Sequence, residues 1–94
     1  MGEGVSDADS RSEVWSVYFE ALLDGSKTFE VRRDDRGFKV GDLLRLHEYD
    51  PDHRTFTSRR LVKEVTFVLN LGDWVPGGHT AEYAVLGLKD AALA

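Results

Sequence analysis

At Gly25 the hydrophobic period of the chain changes, and this constrains the fold more than any other feature. Before it, in WSVYFEALLD (15–24), Trp15, Tyr18, Phe19, Leu22 and Leu23 recur at helical spacing and share one face. Ser12 or Ser16 suits the start of this helix, and Gly25 suits a left-handed stop. A helix this short needs a sheet to pack on. After it, from Thr28, the period is two. Phe29 and Val31 fall on one face, and Thr28, Glu30 and Arg32 on the other.

The rest of the chain keeps the strand period. DDRG and Lys39-Val40-Gly41-Asp42 read as turns, with Asp42 closing the second. Leu43–Tyr49 reads as a strand, and Asp50–Arg54 as a loop whose Pro51 stops the ladder. Phe56–Leu69, rich in Val, Thr, Phe and Leu, reads as a long strand or a bent pair, making an antiparallel hairpin with Leu43–Tyr49. Asn70–Thr80 holds Gly72, Pro76, Gly77 and Gly78 and is a loop; Glu82–Leu88 is a last strand. The expectation is an α+β domain: a helix, then four or five mainly antiparallel strands. Their edges close if the sheet curls into a small β-barrel with the N-terminal amphipathic helix packed on its end. Residues 1–12 read as a disordered tail, 13–90 as the domain and 91–94 as a C-terminal tail. Trp15, Phe19, Phe29 and Phe67 are the expected core aromatics.

Ninety-four residues make one domain with a modest core. There is no cysteine, so thiolate metal sites and cysteine nucleophiles are excluded. His47, His53 and His79 lack zinc-site spacing, and no metal or cofactor is expected. The apolar runs fall short of a membrane span and the first residues lack a signal-peptide core, so the expected location is cytoplasmic. A net charge of −5 argues against a general nucleic-acid coat protein.

The charge is unevenly spread. Residues 27–45 hold six of the 12 basic residues and four acids, so this segment is +2 and the rest of the chain −7. Lys27, at the strand entrance, and Glu30 and Arg32, on one strand face, form the candidate site. A carboxylate between two cations stays ionised and aims them. Arg32 then offers a fixed fork for a phosphate or base edge, and Lys27 a point charge. The alternative is a surface salt-bridge network worth under about 1 kcal/mol a pair. Arg36 and Lys39 read as a solvated rim or a phosphate-steering patch. Trp74, in the Gly-Pro loop, stacks on a base or anchors the loop.

Residues 18–50, YFEALLDGSKTFEVRRDDRGFKVGDLLRLHEYD, resemble the ASCH domains of the PUA-like superfamily, in a small bacterial and phage branch catalogued as a domain of unknown function. Its G-x-K-x-x-E-x-R pattern stands as Gly25, Lys27, Glu30 and Arg32. The following R-x-x-D-R-x-F-x-V-G-D stands as Arg32, Asp35, Arg36, Phe38, Val40, Gly41 and Asp42, and a Tyr-x-Val-Leu strand as Tyr83, Val85 and Leu86. The likeness reaches residue 88. One departure is clear. The branch opens with a His-x-Leu-Lys strand and a Pro, where this chain has Ser10-Arg11-Ser12-Glu13 and Ser16, so the first strand is expected to be lost or altered.

The resemblance implies a PUA-like β-barrel with a cleft over the motif. It implies a single-stranded RNA or nucleotide as partner, held over Lys27, Glu30 and Arg32; on the reading of the residues, Arg36 and Lys39 would steer it and Trp74 stack on it, and the expected state is a monomer. It also implies an alternative, a small hydrolase of modified nucleosides or RNA with Lys27 and Glu30 as the acid–base pair. Hydrolase branches carry Thr at the place of Glu30; here Thr28 is displaced from it, and Glu82 is the other available carboxylate. A non-nucleic-acid interaction protein remains a third reading.

Overall fold

The computed structural model describes residues 12–34, 37–75, 77–78 and 82–91. The expected terminal tails lie outside these, except that Ser12 and Ala91 are described. The elements are β1 (Ser12–Trp15), α1 (Ser16–Asp24), β2 (Phe29–Arg33), β3 (Leu43–Asp50), β4 (Thr55–Asn70), a 3-10 turn (Leu71–Asp73) and β5 (Tyr83–Asp90). The strand order is β1-β3-β4-β5-β2. Among the described residues the architecture is α+β, with one α-helix and a largely antiparallel sheet. The described residues form two compact units, one of residues 12–27 with Leu44–Lys63, the other of those within Thr28–Leu43 and 64–91. β4 runs through both.

In the first unit, β1 pairs with β3 in parallel, from Ser12 opposite Leu46 to Trp15 opposite Tyr49. The first strand is therefore present without the His-x-Leu-Lys sequence, because a backbone ladder tolerates side-chain change. It precedes the helix, correcting the expected element order. α1 ends at Gly25 (φ 85°), in the left-handed region that glycine enters without cost. The Asp24 carboxylate accepts the Ser26 N–H at 2.8 Å. At the other end no side chain caps the helix. The Ser16 hydroxyl turns to the Tyr49 carbonyl at 3.5 Å instead. Of the expected apolar face only Phe19 and Leu22 are buried, joined by Val14, Leu44 and Leu46; Trp15, Tyr18 and Leu23 are exposed.

In the second unit, β2 and β5 are antiparallel, with Phe29 opposite Gly87, Val31 opposite Val85 and Arg33 opposite Tyr83. This register reverses the expected faces of β2. Glu30 and Arg32 stand opposite Leu86 and Ala84, which are buried, so Glu30 is only 6% exposed while Phe29 is 44% and Val31 49%. The longer apolar row, Ala84-Leu86-Leu88, decides which side of the ladder is covered. Phe67 is also exposed, correcting its expected place in the core. It lies beside Gly87, where a Cβ would stand 3.4 Å from the Phe67 Cβ and 2.8 Å from the Thr66 hydroxyl.

Candidate functional site

In the first unit the buried row of β3 runs Leu44, Leu46, Glu48 and so ends in a carboxylate. Glu48 is 4% exposed. Its partner comes from β4, where Ser58 takes a left-handed backbone (φ 75°) and disturbs the alternation. The Thr57 hydroxyl accepts the Arg59 N–H at 3.2 Å within this kink. Arg59 then meets Glu48 as a two-pronged fork, Nε on Oε1 at 2.7 Å and Nη2 on Oε2 at 2.9 Å. The Thr57 hydroxyl donates to Oε1 at 2.5 Å. The Arg59 guanidinium also reaches Glu20 of α1 and lies 5.1 Å from the centre of the Phe19 ring. One arginine thus joins helix, β3 and β4 within this unit.

The Arg59 hydrogen bonds, opposed by burial and reinforced by Thr57 and Ser16, push the Glu48 carboxyl down from 4.5 to about 2. Glu48 and Glu20 in turn hold the guanidinium more firmly charged. A carboxylate so committed does not serve as a general base near neutral pH.

Beside this cluster lies a groove of about 380 Å³ lined by His47, Glu48, Phe56, Ser58, Arg59 and Arg60. Phe56 packs against Tyr49 with ring centres 5.1 Å apart and planes at 74°. Arg60 is exposed. At the hairpin tip, the His53 hydrogen bond and two backbone N–H groups hold the Asp50 carboxyl below its ordinary range.

The expected site residues fall as follows. Lys27 belongs to the first unit; its N–H donates to the Ala21 carbonyl at 3.0 Å and its ammonium lies 5.4 Å from the centre of the Tyr18 ring. Glu30 and Arg32, in the second unit, are brought together as an ion pair at 3.0 Å, both side chains largely covered. Arg36, like Asp35, Pro76 and His79, lies outside the described residues. Lys39 is exposed, and its N–H donates to the Asp42 carboxylate at 2.8 Å, so Asp42 closes the turn as expected. Trp74 follows the 3-10 turn, donates its N–H to Leu71 and is 71% exposed. Glu82, the other carboxylate considered, holds Arg33 at 2.6 Å.

The sequence reading missed Glu48, Thr57 and Arg59. Period-two parity in LLRLHEYD places Glu48 in line with Leu44 and Leu46, and that was the available signal. Arg59 had none, because its direction depends on the kink at Ser58. Among the described residues no group of three or more His, Asp or Glu is arranged to hold a metal ion, and no helix is long and apolar enough to cross a membrane.

Comparison with known proteins adds a family. A model described as Domain of unknown function (DUF3850) matches residues 12–88. The chain belongs to this family. It is also 40% identical over 58 residues to a protein of Escherichia phage P2 described as an uncharacterized 12.9 kDa protein in the GpA 3′ region. That match takes in 62% of this chain and 51% of the phage protein, so the chain spans about half of its relative's length. The family match begins at Ser12, the first residue of β1.

Proposed function

We propose that this domain is a small binding module for single-stranded RNA or nucleotides, of the ASCH and PUA-like kind that its sequence resembles. The observation that supports this reading best is the groove of the first unit. Its volume of about 380 Å³ suits a small ligand such as a nucleotide. An aromatic ring (Phe56), a hydroxyl (Ser58) and an exposed guanidinium (Arg60) border it. These are the groups that stack on a base, bond a sugar and meet a phosphate. Arg59, already held by Glu48 and Glu20, shapes the wall. The negative charge elsewhere on the chain disfavours non-specific binding.

The motif set of Lys27, Glu30, Arg32, Arg36, Lys39 and Trp74 stays in the proposal as an independent group of contacts. Both sets are tested by fluorescence anisotropy with a labelled single-stranded RNA of about eight nucleotides. Titrations at about 50 and 200 mM salt use wild type, Arg60→Ala and Arg32→Ala. Binding that Arg60→Ala weakens roughly tenfold, with a salt slope smaller by about one, supports the groove. Loss in Arg32→Ala alone moves the site to the motif. No saturable binding by folded wild type, to RNA or to competing mononucleotide, overturns the proposal.

A further inference from the structure

The burial of β1 alternates, with Ser12 and Val14 covered and Glu13 and Trp15 exposed. In its parallel ladder Glu13 stands opposite His47, and Trp15 opposite Tyr49. Arg45, His47 and Tyr49 alternate along β3 with the buried row Leu44, Leu46 and Glu48, so they share the open face with Trp15. Tyr49 carries the row on to β4, where the Phe56 ring meets it nearly edge-on at 5.1 Å. Three neighbouring strands, β1, β3 and β4, thus set one aromatic side chain each in a row across the first unit.

Core packing does not account for Trp15, which is 48% exposed. Its Nε1–H donates to the Glu13 carboxylate at 3.0 Å, which satisfies the polar edge of the indole and holds the ring in place. A ring fixed in advance costs less to stack on. At its other end the row meets the groove, which Phe56, His47 and Arg60 border. Arg60 is exposed, and so is Arg45, beside His47 on the open face. Guanidinium groups next to rings on adjacent strands suit a single-stranded nucleic acid, because the cations meet phosphates and the rings take successive bases. Trp15 and Phe56 lie two strand spacings apart, about 10 Å, and so offer separate platforms. Glu13, the acid of this face, turns phosphates toward Arg45 and Arg60.

We infer that Trp15 is the platform for a second base. The ligand is then a single-stranded RNA of at least two nucleotides, with one base in the groove against Phe56, the next stacked on Trp15, and the phosphates at Arg45 and Arg60. This inference rests on the binding function proposed for the groove and adds to it the length of ligand that the domain recognises.

The test is calorimetric titration of the full chain with two probes, a 5′-phosphorylated diadenylate RNA and the same dinucleotide with one base removed. The two carry equal charge and differ by one base, so their ratio of affinities reads the second platform alone. Circular dichroism shows that each variant is folded. Wild type is expected to bind the complete dinucleotide about tenfold more tightly than the abasic one. Trp15→Ala should bring that ratio close to one, and Trp15→Phe, which keeps a ring, should restore most of it. In Trp74→Phe, where Trp15 is the sole tryptophan, the complete dinucleotide should quench fluorescence more than the abasic one at saturation. Equal binding of the two probes by wild type overturns the inference and leaves the groove standing. A ratio that survives in Trp15→Ala also overturns it, since the second base then sits elsewhere. No binding of either probe by folded wild type overturns both the inference and the function on which it rests.

Discussion

Among the described residues, a glutamate is buried against an arginine in each unit of the molecule, and the two pairs are built differently. Glu48 and Arg59 lie eleven residues apart and meet through two hydrogen bonds, with Thr57, Ser16, Glu20 and the Phe19 ring completing the setting. Glu30 and Arg32 lie two apart on one strand and meet at 3.0 Å. The carboxylates are almost equally covered, at 4% and 6% exposure. The first pair ties three elements together, whereas the second neutralises a strand face that already faces inward. Burial of a charge therefore does not reveal what its partner holds in place; the number of elements the partner touches does.

The largest expected effect separates the two arginines. Arg59→Met strands the Glu48 carboxylate and unties α1, and should lower the melting temperature by roughly 10 °C. Arg32→Met breaks a local pair and should cost about half as much, roughly 5 °C. Thermal melts followed by circular dichroism measure both. Equal shifts would break the distinction between a multi-element clamp and a local pair.

A pH series sharpens the same contrast. Glu48 titrates near 4.5 when unfolded and near 2 when folded, mainly because of Arg59. A depressed carboxyl stabilises the fold above its unfolded value and loses that contribution as pH falls through the folded value. The gap in urea midpoint between wild type and Glu48→Gln should be full above pH 4.5, shrink below it and close near pH 2. A gap that is flat with pH would deny Glu48 its ionised, hydrogen-bonded state.

Two smaller effects concern what surrounds the pairs. Ser58 holds φ 75°, which costs a non-glycine residue about 1 kcal/mol. Ser58→Gly should raise stability by up to about that amount in urea unfolding while keeping Arg59 in place. A loss would mean that the serine side chain itself holds the kink. Trp74→Ala should change stability by less than about 0.5 kcal/mol, since the ring is 71% exposed. A larger loss would show that the second unit depends on this loop ring for packing.

Much of the local structure was legible. The change of period at Gly25, the Asp42-closed turn and the hairpin at Pro51 each rest on interactions within a few residues. The candidate site was legible as a set of residue types and no further. TFEVRR alternates in either orientation, and parity alone does not say which face is covered. The apolar-inward assumption failed because Glu30 and Arg32 cancel each other's charge and the β5 register aligns them with Leu86 and Ala84. β1 went unread because SEVW buries Ser12 with Val14 and exposes Trp15, so its in–out alternation is not an alternation of polar and apolar residues.

What the sequence by itself determined is the alternation of charge and apolarity along each segment, the stop at Gly25 and the family to which residues 12–88 belong. Only the tertiary structure decided which face of β2 is buried, and that Arg59, turned by the Ser58 kink, closes on Glu48. Both decisions depend on cross-strand register and on a single backbone torsion. Neither is encoded in the spacing of residues along the chain, because each exists only once a distant segment has taken its place.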